Sequence, residues 1–534
     1  MKGDFARVTF DPARHYNRVF QQQGRVLLEA DWNEQAGIQL HLLHTLIRDL
    51  VGPCWAVGNG FAMTPQPHVA DWQLQAGHFY VDGILCENDS MCTPATQPYT
   101  PAPADDGGDW TNPPATFALW LDVWERHLSA LEAPGIVDLA LNGVDTATRA
   151  QTIWQMRMLD LDAANETAPL DAATAALNIR LQAAVSDADK AAIKLQLDAI
   201  AQLRNSLAAG NSSDPCGTLR QILGARATYA WPRLRAQLGP VASDNDPCVI
   251  AADARYRGCE NQLYRVEVHQ GGLASSANAS TTTDFKWSRE NGSVIFQVID
   301  AASTSQNDGS AQLAVSLASL GRDQRLGLAV NDWVELVDDD YTLAQRAFPL
   351  LQVISIDVAQ RMVTLAVPKN VTAYAISSDP KKHPLLRRWD QSGSVDAQGC
   401  VSLTEGGVID LEDGIQISFE PGGIYATGDY WLIPARVADN GTVDWPLAAD
   451  GTAAPMKSHG MHHQAVLGSF DAQDNYSECC CRFDSLCALI KGANQRTTDT
   501  AVAVSPVLNP AVTGAVAKVT SKRGRGTGKA GGSG

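Results

Sequence analysis

The chain has 534 residues, a formal net charge of −18 and a hydrophobic fraction of 45%. At roughly 100–200 residues per domain this length fits about three folded units with sizeable cores. The acidic balance repels phosphate backbones and anionic lipid, which argues against nucleic acid or a membrane surface as a bulk partner.

The opening, MKGDFARVTFDPARHY, has no apolar h-region, and no run of about 18 apolar residues follows anywhere. The expectation is synthesis in the cytosol without a signal peptide or membrane insertion. Residues 1–24 read as irregular, with turn chemistry at TFDP. From Val26 the pattern turns helical: Leu28, Trp32, Leu40, Leu43, Leu46, Ile47 and Leu50 mostly share one face, read as packed, before Gly52-Pro53 ends the run. Residues 77–86 predict two short strands or a bent hairpin. Residues 93–115 are a loop rich in Pro, Gly, Thr and Asp. Residues 117–124 (FALWLDVW) are apolar on both faces and predict a central strand.

Residues 166–209 differ in composition. Leu177, Leu181 and Val185 form one stripe, and Ile193, Leu197, Ile200 and Leu207 another. Ser186 with Asp189 marks a cap-like break, so two antiparallel helices are predicted. From about 255 to 470, strands return at 263–269, 293–299 and 332–337, with Asn291-Gly292 as a two-residue hairpin turn. Residues 501–534 lose their pattern and end in KVTSKRGRGTGKAGGSG, which reads as a disordered, solvated basic tail.

The expected fold class is therefore mainly β with α insertions: β-sandwich or barrel-like modules, an N-terminal helix and a helical hairpin insertion. The expected division is 1–160 (helix plus β-sheet), 161–250 (helical hairpin and connector), 251–395 (β module), 396–500 (C-terminal β module) and 501–534 (tail).

Candidate chemistry is sparse. No GxSxG, HExxH or Walker A pattern occurs. Asp338, Asp339 and Asp340 lack the spacing of a calcium loop and read as a solvated turn. His459, His462 and His463 are dense enough to suggest zinc or copper, but His462 and His463 would leave opposite faces of a strand. Cys479, Cys480 and Cys481, followed by Cys487, lack C-x-x-C spacing. Cys479 and Cys481 remain weak metal candidates beside those histidines. Reduced, partly buried thiols are the default reading for the eleven cysteines. A Cys216–Cys248 bridge is a weaker alternative. Asp122 and Glu125 invite a paired-carboxylate reading, but their odd spacing puts them on opposite strand faces. A salt-bridged sheet end involving Arg126 fits better. No catalytic residue and no cofactor is expected.

The block MKGDFARVTFDPARHYNRVFQQQGRVLLEADWNEQ resembles a bacterial family of unknown function that opens with KGDF, TFDP, HY, QQGRV and ADWNEQ. Later blocks match too: residues 80–84 (YVDGI), 121–126 (LDVWER), 145–149 (DTATR), 260–266 (ENQLYRV), 285–293 (FKWSRENGS) and 428–436 (GDYWLIPAR). The resemblance runs from residue 1 to about 490. It implies a component encoded near phage-tail-like contractile injection systems, and it supplies no catalytic residue. Some members carry a C-terminal binding module; none is expected to follow here, so a receptor role that depends on one is not implied.

The resulting expectation is a non-catalytic structural or adaptor protein of such a particle, within a released or anchored extracellular assembly. Its partners would be other particle subunits, with a homo-oligomer left open. Trp32, Trp124, Trp287 and Trp431 are the expected contact or scaffold residues. The rival readings are a carbohydrate- or surface-binding module and a metal-dependent hydrolase. Within the opening block, Asp31, Asn33 and Glu34 read as helix-start and packing residues.

Overall fold

Strands with apolar residues on one or both faces assemble into two pairs of sheets and a closed barrel in the computed structural model. It describes residues 1–64, 71–100, 110, 112–161, 163–208, 214–239, 255–274, 283–393, 395–472 and 475–484. The predicted tail at 501–534, Cys248 and Cys487 lie outside the described residues.

The first pair is built from both ends of the chain. One sheet runs Cys481–Phe483, Cys54–Val57, Gly77–Val81, Ile84–Asn88. The other runs Tyr476–Glu478, His463–Phe470, Phe117–Leu128, Arg149–Asp160. Alternate residues of Phe117–Leu128 supply Phe117, Leu119, Leu121 and Val123 to a core with Phe79, Trp154 and Phe470. Ala118, on the opposite face, belongs to a helical core. The strand is therefore covered on both sides, as its unbroken apolar run predicts. Residues 77–86 split into two strands at Asp82 and Gly83, both with positive φ.

The helical cover comes from α2 (Ala163–Ala183), α3 (Asp187–Ala208) and α4 (Pro215–Leu223), with Leu177, Ile200, Leu219 and Ile222 buried. The Ser186 hydroxyl accepts from the Asp189 backbone amide at 3.0 Å and caps α3 as expected. Val185 lies beyond the end of α2 and is exposed, so it is not part of the packed stripe.

The second pair joins a five-stranded sheet (Val401–Ser402, Asp284–Ser288, Gln262–Val268, Tyr430–Arg436, Thr442–Val443) to a four-stranded one (Ile409–Asp410, Ile415–Phe419, Arg233–Leu238, Met456–Lys457). Tyr264, Phe285, Trp287, Phe419 and Trp431 fill their common core. The barrel closes in the order Ile295–Ser305, Ala311–Leu317, Met362–Val367, Leu351–Asp357, Trp333–Val337, Leu385–Trp389 around a Val- and Leu-rich interior. Asn291 and Gly292 do form a tight turn, with φ of 50° and 65° and the Ser293 amide donating to the Glu290 carbonyl. The turn passes from the five-stranded sheet into the barrel and does not close a hairpin, because its flanking strands pair with other neighbours.

Candidate assembly surface

Residues 1–28 form a strap with little regular structure. A short 3-10 turn at Pro12–Arg14 is capped by the Asp11 carboxylate. The strap is pinned along its length. Lys2 Nζ lies 2.8 Å from Glu267. The Met1 amino group donates to the Tyr430 hydroxyl. Asn291 Nδ2 donates to the carbonyls of both Met1 (3.1 Å) and Gly3 (2.9 Å), and Arg265 Nη1 donates to that of Met1. Arg436 donates to the Ala6 carbonyl at 2.6 Å. A Cβ on Gly3 would sit 2.8 Å from the Phe5 ring and 3.1 Å from His127, so this position has no room for a side chain.

Beneath Lys2 lies a buried charge network. Glu267 also meets Arg265 and Lys286. Lys286 reaches Glu335, which accepts from Tyr341 and from the Trp389 indole. Arg265, Glu267, Lys286 and Glu335 are each at most 3% exposed. Burial pushes the Lys2 ammonium down to about 8 against the pull of Glu267. Burial would raise Glu335, but the Lys286 and Lys2 charges outweigh it and hold the carboxyl at about 2. Charges this deep stay ionised only because each has an opposite partner.

The strap leads into α1 (Glu29–Val51). Glu34 accepts from the Thr9 hydroxyl at 2.6 Å, Gln35 accepts from the Val19 amide at 2.8 Å, and Glu29 accepts from the Ala6 amide. Gly37 leaves space for Phe10, whose ring also meets His41. On the other side, Gly83 lets α1 rest on its turn, since a Cβ there would lie 2.3 Å from the His44 carbonyl. These contacts orient one face of the helix, with Ala30 and Ile38 buried. The stripe predicted to pack faces outward instead. Trp32 (63%), Leu40, Leu43, Leu46 and Leu50 (75%) are all exposed, as are Leu42 and the preceding Phe20, Val26, Leu27 and Leu28. Hydrophobic periodicity locates a face but not its partner, and this face has none within the described chain.

Of the four tryptophans expected at contacts, Trp32 is exposed and Trp124 is half-buried against His462. Trp287 and Trp431 lie in the core, 2% and 1% exposed, so they act only as scaffold. The metal candidates do not converge. His462 pairs with Asp122 at 2.7 Å, His463 pairs with Asp82 at 2.7 Å, and His459 packs on Tyr430. Cys479 is bonded to Cys216, and Cys481 is an exposed thiol. That bond replaces the weighed Cys216–Cys248 pairing and removes Cys479 from any ligand set, because a disulfide sulfur is not a thiolate. It also corrects the default of reduced cysteines at this position.

The aspartate run is not a solvated turn. Asp338 is buried and accepts from Tyr341, Tyr374 and Ser377, Asp339 pairs with Arg126 and His383, and Asp340 pairs with Lys382. Asp122 is buried between Arg157 and His462, while Glu125 is exposed on the other strand face. Asp122 is thus salt-bridged, but not to Arg126, which pairs with Glu132 and Asp339.

The blocks quoted for the resemblance thus meet in space around the strap. ENQLYRV supplies Arg265, FKWSRENGS supplies Lys286 and Asn291, GDYWLIPAR supplies Tyr430 and Arg436, and YVDGI supplies Gly83 beneath α1. DTATR does not join them: Arg149 is exposed and donates to its neighbour's carbonyl. A family model for a family of unknown function, DUF6519, matches residues 1–530. This chain belongs to that family. No curated protein matches this DUF6519 member. Among solved structures, a chain titled TssK aligns over 77% of this chain and 99% of its own length, at 9% identity and a TM-score of 0.13. That score is too low to bear on fold or function.

Proposed function

We propose that this DUF6519 chain is a non-catalytic structural or adaptor component of a phage-tail-like, contractile injection particle, working by protein–protein assembly. The observation that carries the reading is α1: a helix held rigidly by the strap that turns a broad apolar face to solvent. Monomeric soluble proteins rarely expose a contiguous apolar patch beyond about 300–600 Å². Ten large apolar residues from Phe20 to Leu50 are each at least 41% exposed, and six of them lie on α1. The resemblance of the sequence blocks supplies the particle. Asp122, Asp338, Asp339, Asp340, His462 and His463, first weighed for chemistry, are engaged in caps and ion pairs, which suits a scaffold. The protein would be made in the cytosol and carried within a released or anchored particle.

A carbohydrate platform would need tryptophans in an exposed row, which the burial of Trp287 and Trp431 disfavours. The test is electron microscopy of particles from cells with and without this chain. Defective or missing particles are expected in its absence; intact, fully active ones would sink the proposal.

A further inference from the structure

The exposed positions of α1 include one run that can form a straight seam. Trp32, Ala36, Gln39, Leu43, Leu46 and Leu50 are separated by alternating steps of four and three residues, and all six are exposed. That alternation keeps residues on the seam between paired helices, where side chains of one helix enter gaps in the other. The residues flanking the seam are Asn33, Leu40 and Ile47 on one side and Gln35, Leu42 and Asp49 on the other. Only Asp49 is charged. Helices that select a different partner carry charges at these flanks, which repel their own copies. Here almost nothing opposes self-pairing, and three of the flanks widen the apolar stripe.

We infer that the occupant of this face is the α1 helix of a second copy of the chain, so that the protein is a homo-oligomer built on a helix pair along this seam. The inference names a partner within the assembly reading above and is tested on purified protein, without the particle. Trp32, Leu40, Leu42, Leu43, Leu46 and Leu50 supply the apolar centre that such a contact buries. An isologous contact suits it, because the same residues serve on both copies. The net charge of −18 opposes association at long range, so added salt should strengthen pairing. A charge-driven partner would behave the opposite way.

The experiment is sedimentation velocity of the full chain across the micromolar range, comparing wild type, the double substitution Leu43→Glu/Leu46→Glu and the conservative Leu43→Met. Wild type and Leu43→Met should run as oligomers. The double substitution should raise the dissociation constant at least a hundredfold and sediment at the monomer mass. Its circular dichroism and melting temperature should match those of Leu43→Met under conditions where both are monomeric. A wild-type chain that is monomeric throughout would overturn the inference, whether its face is covered by its own C-terminal residues or by a different protein. So would an oligomer mass that survives the double substitution. A monomeric wild-type chain that enters particles, with the double substitution excluded from them, would sink self-pairing and leave the assembly reading standing.

Discussion

Lys2 and Glu267 are 265 residues apart in number but 2.8 Å apart in space, and their contact fastens the strap to the five-stranded sheet. Glu267 is the shared anion of Lys2, Arg265 and Lys286, and these cations hold its carboxyl well below the usual carboxylate range despite burial. Glu267→Gln leaves Lys2 and Arg265 without their carboxylate and Lys286 with Glu335 alone. It should cost about 3 kcal/mol of unfolding free energy, read from urea denaturation. Lys2→Met leaves Glu267 with two partners and should cost roughly 1 kcal/mol. Equal effects of the two would contradict the shared-anion arrangement.

The strap can be loosened separately from the body. Glu34→Ala with Gln35→Ala removes the acceptors for Thr9 and Val19 while leaving the Lys2 anchor intact. Faster amide exchange and earlier proteolysis within residues 5–28 are expected, with a global melting temperature within a few degrees of wild type. Protection unchanged at Val19 would show that these side chains do not hold the strap.

Much of the architecture is readable from the sequence. The unbroken apolar run FALWLDVW gives a strand covered on both faces, the stripes at 166–209 give two helices, and Asn291-Gly292 gives a tight turn. Contacts between distant segments are less legible. No local pattern joins Cys481–Phe483 in parallel to Cys54–Val57, or pairs Cys216 with Cys479. Trp287 and Trp431 look like ready contact residues because tryptophan suits interfaces and cores alike. The α1 stripe was visible, but its outward direction was not.

The Cys216–Cys479 bond ties α4 to the end of the C-terminal strands across a separation of 263 residues. Peptide mapping of protein purified without reductant should recover the linked pair. Reduction or Cys216→Ser should lower stability by about 3 kcal/mol. Recovery of Cys216 as a free thiol under those conditions would contradict the pairing.

His269 gives the fold an acid-sensitive element. Burial, reinforced by Lys286, holds its imidazole down to about 3, against an ordinary value of 6.5. Between these values the unfolded chain binds a proton that the folded chain does not, so stability falls as pH drops through 6.5 toward 3. From about pH 7 to about pH 5 this residue should remove about 2 kcal/mol. His269→Gln should flatten that part of the pH–stability profile, whatever its effect at neutral pH. An unchanged slope would show that His269 takes up its proton in the folded state.

The central claim, that the α1 face fastens this protein into a particle, is tested most directly by quantitative mass spectrometry of purified particles. Cells producing wild type should be compared with cells producing Leu43→Glu/Leu46→Glu at matched, soluble levels. The wild-type chain should be present at a fixed ratio to the other subunits, and the folded variant should be depleted at least tenfold. Particles without the wild-type chain, or with the variant at the wild-type ratio, would contradict the account.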